Sequence, residues 1–222
     1  HFISNLCQTF CSKHQNIIHI NMNFNVLIIG GGVAGMQCAL VLGSAKNKAF
    51  AADKNVGIIL HQKTSHLQNA LFNNVLGLDP GTLGANILVD GKKQLASLYP
   101  EISQIEKEKV IAIEDAEEGY RVITNKNIYL SAIVIVALNY SKPFTIRGLE
   151  SYIIPHKKAN PAKERIQLKN ENHLIKKGLY CCGTIAGCRS QFAIAAGSGA
   201  SVATDVLTLW NQGIPTKIHD KK

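Results

Sequence analysis

Long apolar runs are missing from this sequence. The longest, Ala132 to Leu138, falls far short of the roughly 20 residues a helix needs to cross a bilayer. Aromatic residues are scarce at 6%, and no basic run is interleaved with them, so neither a membrane nor nucleic acid is an expected partner. No stretch reads as a secretory signal. There are no internal repeats, no Ser-His-Asp set and no carboxylate pair with a reason to be paired, so no catalytic residue is assigned. No two cysteines stand in Cys-x-x-Cys spacing. The six cysteines follow no regular framework, which points to a reducing, cytoplasmic setting. Cys7, Cys11, His14 and His19 match no common zinc pattern, and no metal is expected.

What is present suits one domain, or a domain with a small annex. The chain has 222 residues, 46% of them hydrophobic, and a net charge of +9. That is enough apolar material for a sizeable core. Lysine and arginine are scattered as on a solvated surface, and they also suit an anionic ligand.

The most informative stretch is NVLIIGGGVAGMQCALVLG, Asn25 to Gly43. Val26 to Ile29 reads as a strand buried on both faces, as in a parallel sheet. Gly30, Gly32 and Gly35 follow at G-x-G-x-x-G spacing. The first permits a tight turn, the second lets backbone approach a pyrophosphate, and the third lets the helix pack against the strand. Val33, Met36, Leu40 and Gly43 recur at helical spacing, so a helix starts near Val33. Its N-terminal amides, at Val33 and Ala34, favour an anion. Strand, turn and helix together point to a dinucleotide.

Further on, Val56 to Leu60 is the next strand. It leaves Lys46 to Asn55 as an inserted loop and puts His61 or Gln62 at its end. Counting roughly twenty residues past the fingerprint points instead to Asp53 as the ribose partner, and both readings stay open. A helix begins near Gly84 with Ile87, Leu88, Leu95 and Leu98 inward. KVIAIEDAEEGYRVITNKNIYLSAIVIVAL reads as three strands with turns at Glu114 to Gly119 and Thr124 to Asn127. Ser141 to Lys163 is polar and irregular. RIQL is extended, GLYCCG (Gly178 to Gly183) is a strand, and Gln191 to Trp210 is a helix. Residues 1–21 are expected to lie outside the fold, residues 22–214 to form a single domain, and residues 215–222 to be a basic tail. The fold class is α/β: a Rossmann-like, dinucleotide-binding fold with a central parallel sheet, helices and a small antiparallel β insertion.

Several segments together resemble the flavin domain of the thioredoxin-reductase-like pyridine nucleotide-disulfide oxidoreductases. The glycine fingerprint of that family matches Gly30 to Gly35. Its Asn-x-Pro-Gly segment and following helix are similar to Asn74-Val75-Leu76-Gly77 and the helix from Gly84. Its Ala-Thr-Gly strand end is similar to Ala137-Leu138-Asn139. Its Gly-Leu-Phe-Ala-Ala-Gly-Asp resembles Gly178-Leu179-Tyr180-Cys181-Cys182-Gly183-Thr184, and its Gln-x-x-x-Ala-Ala-Gly-x-Gly matches Gln191 through Gly199. The resemblance implies FAD as cofactor. Gly30, Gly32, Val33, Ala34 and Gly35 would lie at the pyrophosphate, His61 or Gln62 at the adenosine ribose, and Ala137, Gly183 and Thr184 along the ribityl-pyrophosphate. Gln191 and Phe192 would lie at the pyrimidine edge of the flavin.

The departures are specific. The NAD(P)H domain of the family and its redox Cys-x-x-Cys have no counterpart between Asn139 and Cys181. Disulfide reduction by the usual relay is therefore not expected, and an external donor or partner protein would replace the missing domain. Thr184 stands where the family has an aspartate. That loss, with Leu138-Asn139, keeps open a non-catalytic flavin or nucleotide sensor, or a degenerate member. A homodimer is a further option. Cys181 and Cys182 take the place of two small alanines and read as core residues.

Overall fold

Period-two alternation along the central strands sets the architecture. The computed structural model describes residues 20–60 and 66–219. In chain order the elements are β1 (Ile20–Ile29), α1 (Val33–Ser44), β2 (Val56–Ile59), β3 (Leu71–Phe72), β4 (Thr82–Leu83), α2 (Gly84–Leu98), β5 (Ser103–Ile105), β6 (Val110–Ala116), β7 (Gly119–Thr124) and β8 (Ile128–Val136). β9 (Ile153–Pro155), β10 (Ile166–Leu168), β11 (Leu174–Lys176), β12 (Leu179–Cys181) and α3 (Phe192–Trp210) complete the fold.

The main sheet runs β11-β12-β8-β1-β2-β5, and every pair from β12 to β5 is parallel. β1 lies along all of β8, from Ile20 opposite Ile128 to Ile29 opposite Val136. The other edge of β8 is shared. Its first half pairs with β7 of the β6–β7 hairpin, and Val134 to Val136 pair with β12. This is how a small antiparallel insertion joins a parallel sheet without displacing its core strands.

Each face of the sheet buries one set of alternate residues. Val26, Ile28, Val56, Ile58, Ile133 and Ile135 face the helices, against Cys38 and Leu42 of α1, Leu95 of α2, and Val202 and Val206 of α3. Leu27, Ile29, Ile59, Val134, Val136 and Leu179 face the opposite layer, formed by the hairpin and β10. Each such side chain stabilises the fold by roughly 1.5–3 kcal/mol relative to exposure. The layers are therefore helix, sheet and β-structure.

α3 is long and apolar enough, by length and composition, to cross a membrane. Its buried positions, Ser198, Gly199, Val202, Ala203, Val206 and Leu207, recur as a single helical stripe, the pattern of a core helix.

Four expectations change. β1 begins at Ile20, because the start of β8 offers it a pairing edge; of the expected extension, residues 1–19 lie outside the described residues. Ser141 to Lys163 is not simply irregular. It carries β9, which pairs with β10, and it sends Ile146 and Leu149 into the core under the hairpin. Leu98 is 56% exposed rather than inward, since α2 touches the body of the protein only along a narrow stripe. The tail is anchored as far as Ile218, which packs on the helix-side core, while Thr216 donates from its amide to the Thr208 hydroxyl at 3.1 Å.

Candidate functional site

β1, β2 and β8 end at one level. The Gly30 amide donates to the Ile59 carbonyl, and the Ala137 amide to the Ile29 carbonyl, each at 2.9 Å. Above these ends the chain turns from β1 into α1. Gly30 has φ +116°, and a Cβ there would stand 2.5 Å from the Ala137 carbonyl oxygen. Only glycine suits both conditions. A Cβ on Gly35 would run into the Gly30 carbonyl, so α1 sits directly on the turn. Gly32 differs. It is the N-cap of α1 with φ −74°, and a Cβ there meets nothing within 4 Å.

That open side faces a cavity of about 390 Å³, within the usual range for ligand sites. Gly32, Val33 and Ala34 line it from α1, Ala137 from the end of β8, Gly183 and Thr184 from the turn after β12, and Gln191 and Phe192 from the start of α3. Eight of the residues expected at the site thus surround one space. Gly30 and Gly35 shape the turn without lining it. His61 and Gln62 lie outside the described residues. A second cavity of about 280 Å³ lies between α1 and α2 and shares Gly32, Val33, Leu67 and Phe192 with the first.

Two helix N-termini meet at the larger cavity. Neither α1 nor α3 has a side-chain cap or an acidic residue in its first turn. The amides of Val33 and Ala34 have no helical carbonyl to pair with, and the partial positive charge of each helix end points at the same space. A group with two negative charges suits this arrangement, as does the open face of Gly32.

Asp53 stands apart from it. It lies before β2, at the opposite end of the strand from the cavity, and pairs with Lys54 at 3.1 Å. The Lys54 hydrogen bond holds its carboxyl below the usual carboxylate range. This position removes Asp53 from the ribose reading.

The thiols are set for packing. Cys38, Cys181 and Cys182 are fully buried. Burial pushes the Cys181 thiol up to about 12, and raises those of Cys38 and Cys182 well above the ordinary value. They stay protonated and weakly nucleophilic. Cys182 borders the cavity, with its side chain buried in the helix-side core. Among the described residues no group of three or more His, Cys, Asp or Glu could hold a metal ion.

Sequence reasoning missed several residues here. The Gly183 amide donates to the Ser198 hydroxyl at 2.8 Å. Phe72 packs edge-on against Phe192, with ring centroids 5.3 Å apart. Ser141, Pro143 and Phe144, in the stretch read as irregular, line the cavity. A serine within an Ala-Gly-rich helix was the one available signal, and it is ambiguous.

No protein-family model matches the chain, and no curated protein matches it by sequence. Solved structures do match by shape. A thioredoxin reductase from Gloeobacter violaceus superposes with a TM-score of 0.68 at 12% identity, covering 90% of this chain and 99% of that one. An oxidoreductase from Agrobacterium tumefaciens gives 0.64 at 14%, covering 85% and 99%. A ferredoxin-flavin thioredoxin reductase from Clostridium acetobutylicum gives 0.63 at 17%, covering 86% and 99%. The chain therefore has the Rossmann-like fold of the thioredoxin-reductase-like oxidoreductases.

Proposed function

We propose that the cavity above β1, β8 and β12 holds FAD and that the protein is a flavin-dependent oxidoreductase fed by an external donor. The observation that carries this reading is the convergence of two uncapped helix N-termini on one cavity, with the open face of Gly32 between them. The pyrophosphate would lie against Gly32, Val33 and Ala34. Thr184 would offer its hydroxyl to the ribityl chain. The amide end of α3, at Gln191 and Phe192, would stabilise negative charge on the flavin pyrimidine edge. His61 or Gln62, on the segment that leaves β2, would meet the adenosine ribose.

Flavin, when bound, supplies the electron-transfer chemistry. The protein supplies binding, orientation and the exclusion of water by Leu67, Phe72 and Phe144 at the cavity wall. By the resemblance drawn from the sequence, only Tyr140 to Tyr180 stands where that family carries its NAD(P)H domain. The donor would therefore be a separate electron-carrying protein. The similarity to a structure named as a ferredoxin-flavin thioredoxin reductase supports that class of donor. Unpaired thiols at Cys38, Cys181, Cys182 and Cys188 support a reducing, cytoplasmic setting.

A second reading, a flavin or nucleotide sensor without turnover, is favoured by Thr184 in place of a carboxylate and by Leu138 lining the cavity. Reconstitution with FAD followed by anaerobic mixing with reduced ferredoxin separates the two. Bleaching of the bound flavin band, followed by repeated turnover with an added acceptor, supports the oxidoreductase. A bound flavin that no donor or acceptor changes supports the sensor. No bound flavin at all contradicts both flavin readings.

A further inference from the structure

Just past the end of β8, a group of side chains surrounds Tyr140 that neither the fold nor the flavin reading uses. The His156 ring packs edge-on against Tyr140 at 5.3 Å between centroids, and His66 approaches it at 5.9 Å. The Arg165 guanidinium carbon lies 5.0 Å from the centre of the Tyr140 ring. His156 and Arg165 face each other across the mouth of the β9–β10 hairpin. The His156 amide donates to the Arg165 carbonyl at 2.9 Å, one step beyond the Pro155–Ile166 pair. Opposed residues project to the same face, which brings both to Tyr140. Arg165 Nη1 also donates to the Ser141 hydroxyl at 2.7 Å. Ser141 and His66 line the larger cavity.

Among the described residues, two donors in this group have no acceptor. His156 is only 7% exposed. The Lys158 amide donates to its Nδ1 at 3.1 Å, so Nδ1 accepts and the ring proton is on Nε2. His156 Nε2 and Arg165 Nε are both buried, and neither meets a hydrogen-bond partner among the described residues. Buried donors are nearly always paired. Two unpaired N–H groups about one ring, one of them on a guanidinium, fit an anionic oxygen best. The surroundings agree. Lys157 and Lys158 follow His156 in the chain, and the Arg189 guanidinium reaches the Lys158 carbonyl at 3.5 Å. Glu164 is exposed and turned to Lys142 at 3.9 Å.

We propose that His156 Nε2 and Arg165 Nε, beside the Ser141 hydroxyl, bind the oxyanion group of a small molecule that enters next to Tyr140. The group is a carboxylate or a phosphate. The site does not depend on flavin, because the glycine turn that would hold a pyrophosphate lines the larger cavity and neither His156 nor Arg165 does.

Inorganic phosphate and acetate, titrated separately into the full chain at constant ionic strength, test this by nitrogen-resolved NMR. Saturable shifts of the Arg165 Nε–H and His156 Nε2–H signals are expected with at least one probe. Phosphate acting alone identifies a phosphate-bearing ligand, and acetate acting alone a carboxylate. Arg165→Met and His156→Phe should each weaken that probe by about tenfold to a hundredfold, the loss of one charge-assisted bond. Absence of saturable shifts with both probes overturns the proposal. So does unchanged affinity in both variants. FAD added to the probe-loaded protein should leave the Arg165 shift in place; its reversal would assign these donors to the cofactor's own phosphates and overturn a separate site.

Discussion

The Gly183 amide donates a 2.8 Å hydrogen bond to the Ser198 hydroxyl, tying the turn after β12 to the second turn of α3. One residue further along α3, a Cβ on Gly199 would meet the Ala34 carbonyl of α1. Two contacts on one helix therefore fix two other walls of the cavity, the Gly183–Thr184 turn and the start of α1.

Ser198→Ala should destabilise the protein by about 1–3 kcal/mol, because it leaves the buried Gly183 amide without an acceptor. Urea unfolding followed by circular dichroism measures this. A loss within about 0.5 kcal/mol, the range of an ordinary surface change, would mean the bond does not hold the turn.

Gly32→Val and Gly35→Ala should behave oppositely in stability. Gly32 has an ordinary φ and open space at its Cβ, so the valine variant should melt close to the parent. A Cβ on Gly35 meets the Gly30 carbonyl backbone, so even alanine should lower the melting temperature by several degrees. Equal effects on melting would contradict this picture of the turn.

Much of this arrangement was legible in the sequence, and the reasons are local. β-branched runs mark β1 and the end of β8, the first of them ending in glycine, and the G-x-G-x-x-G spacing encodes a tight turn whose steric demands are short-range. β2 was legible for the same reason, which left Asp53 on the preceding loop. What stayed hidden depends on long-range placement. Ile20 becomes strand because β8 offers an edge, and Ile146 and Leu149 are buried because the hairpin overhangs them. His156 and Arg165 meet because β9 pairs with β10. None of these has a signature in its own neighbourhood. Leu98 failed in the other direction: its helical spacing is real, but α2 has little to pack against there.

Tyr129 should couple stability to alkaline pH. Burial, then its hydrogen bond to Glu108 at 2.8 Å, pushes its hydroxyl up to about 12 from an ordinary value of 10.0. The folded state therefore keeps a proton that the unfolded chain releases. This contribution is fully present below about pH 10 and is lost as pH rises through about 12. Tyr120, raised to about 12 mainly by burial, acts in the same sense. Stability should fall across that window, and Tyr129→Phe should make the fall shallower. An unchanged slope in Tyr129→Phe would show that Tyr129 does not drive it.

Thr184→Asp should tighten FAD. A neutral hydroxyl bond contributes about 0.5–1.5 kcal/mol net, against roughly 1.5–3 for one with a charged partner, and each 1.4 kcal/mol is tenfold in affinity. Calorimetric titration of FAD into both forms measures the difference. Weaker binding in the Asp variant would mean that repulsion from the pyrophosphate dominates at this position.

The most direct measurement is a fluorescence titration of FAD into the cofactor-free parent and into folded Gly32→Val. A pyrophosphate cradle at Gly32 predicts saturation at one FAD per chain in the parent. It predicts no saturation in the variant, whose side chain would fill the space beside the α1 amides. Equal binding in both proteins, or no binding in the parent, would contradict a flavin site between the two helix ends.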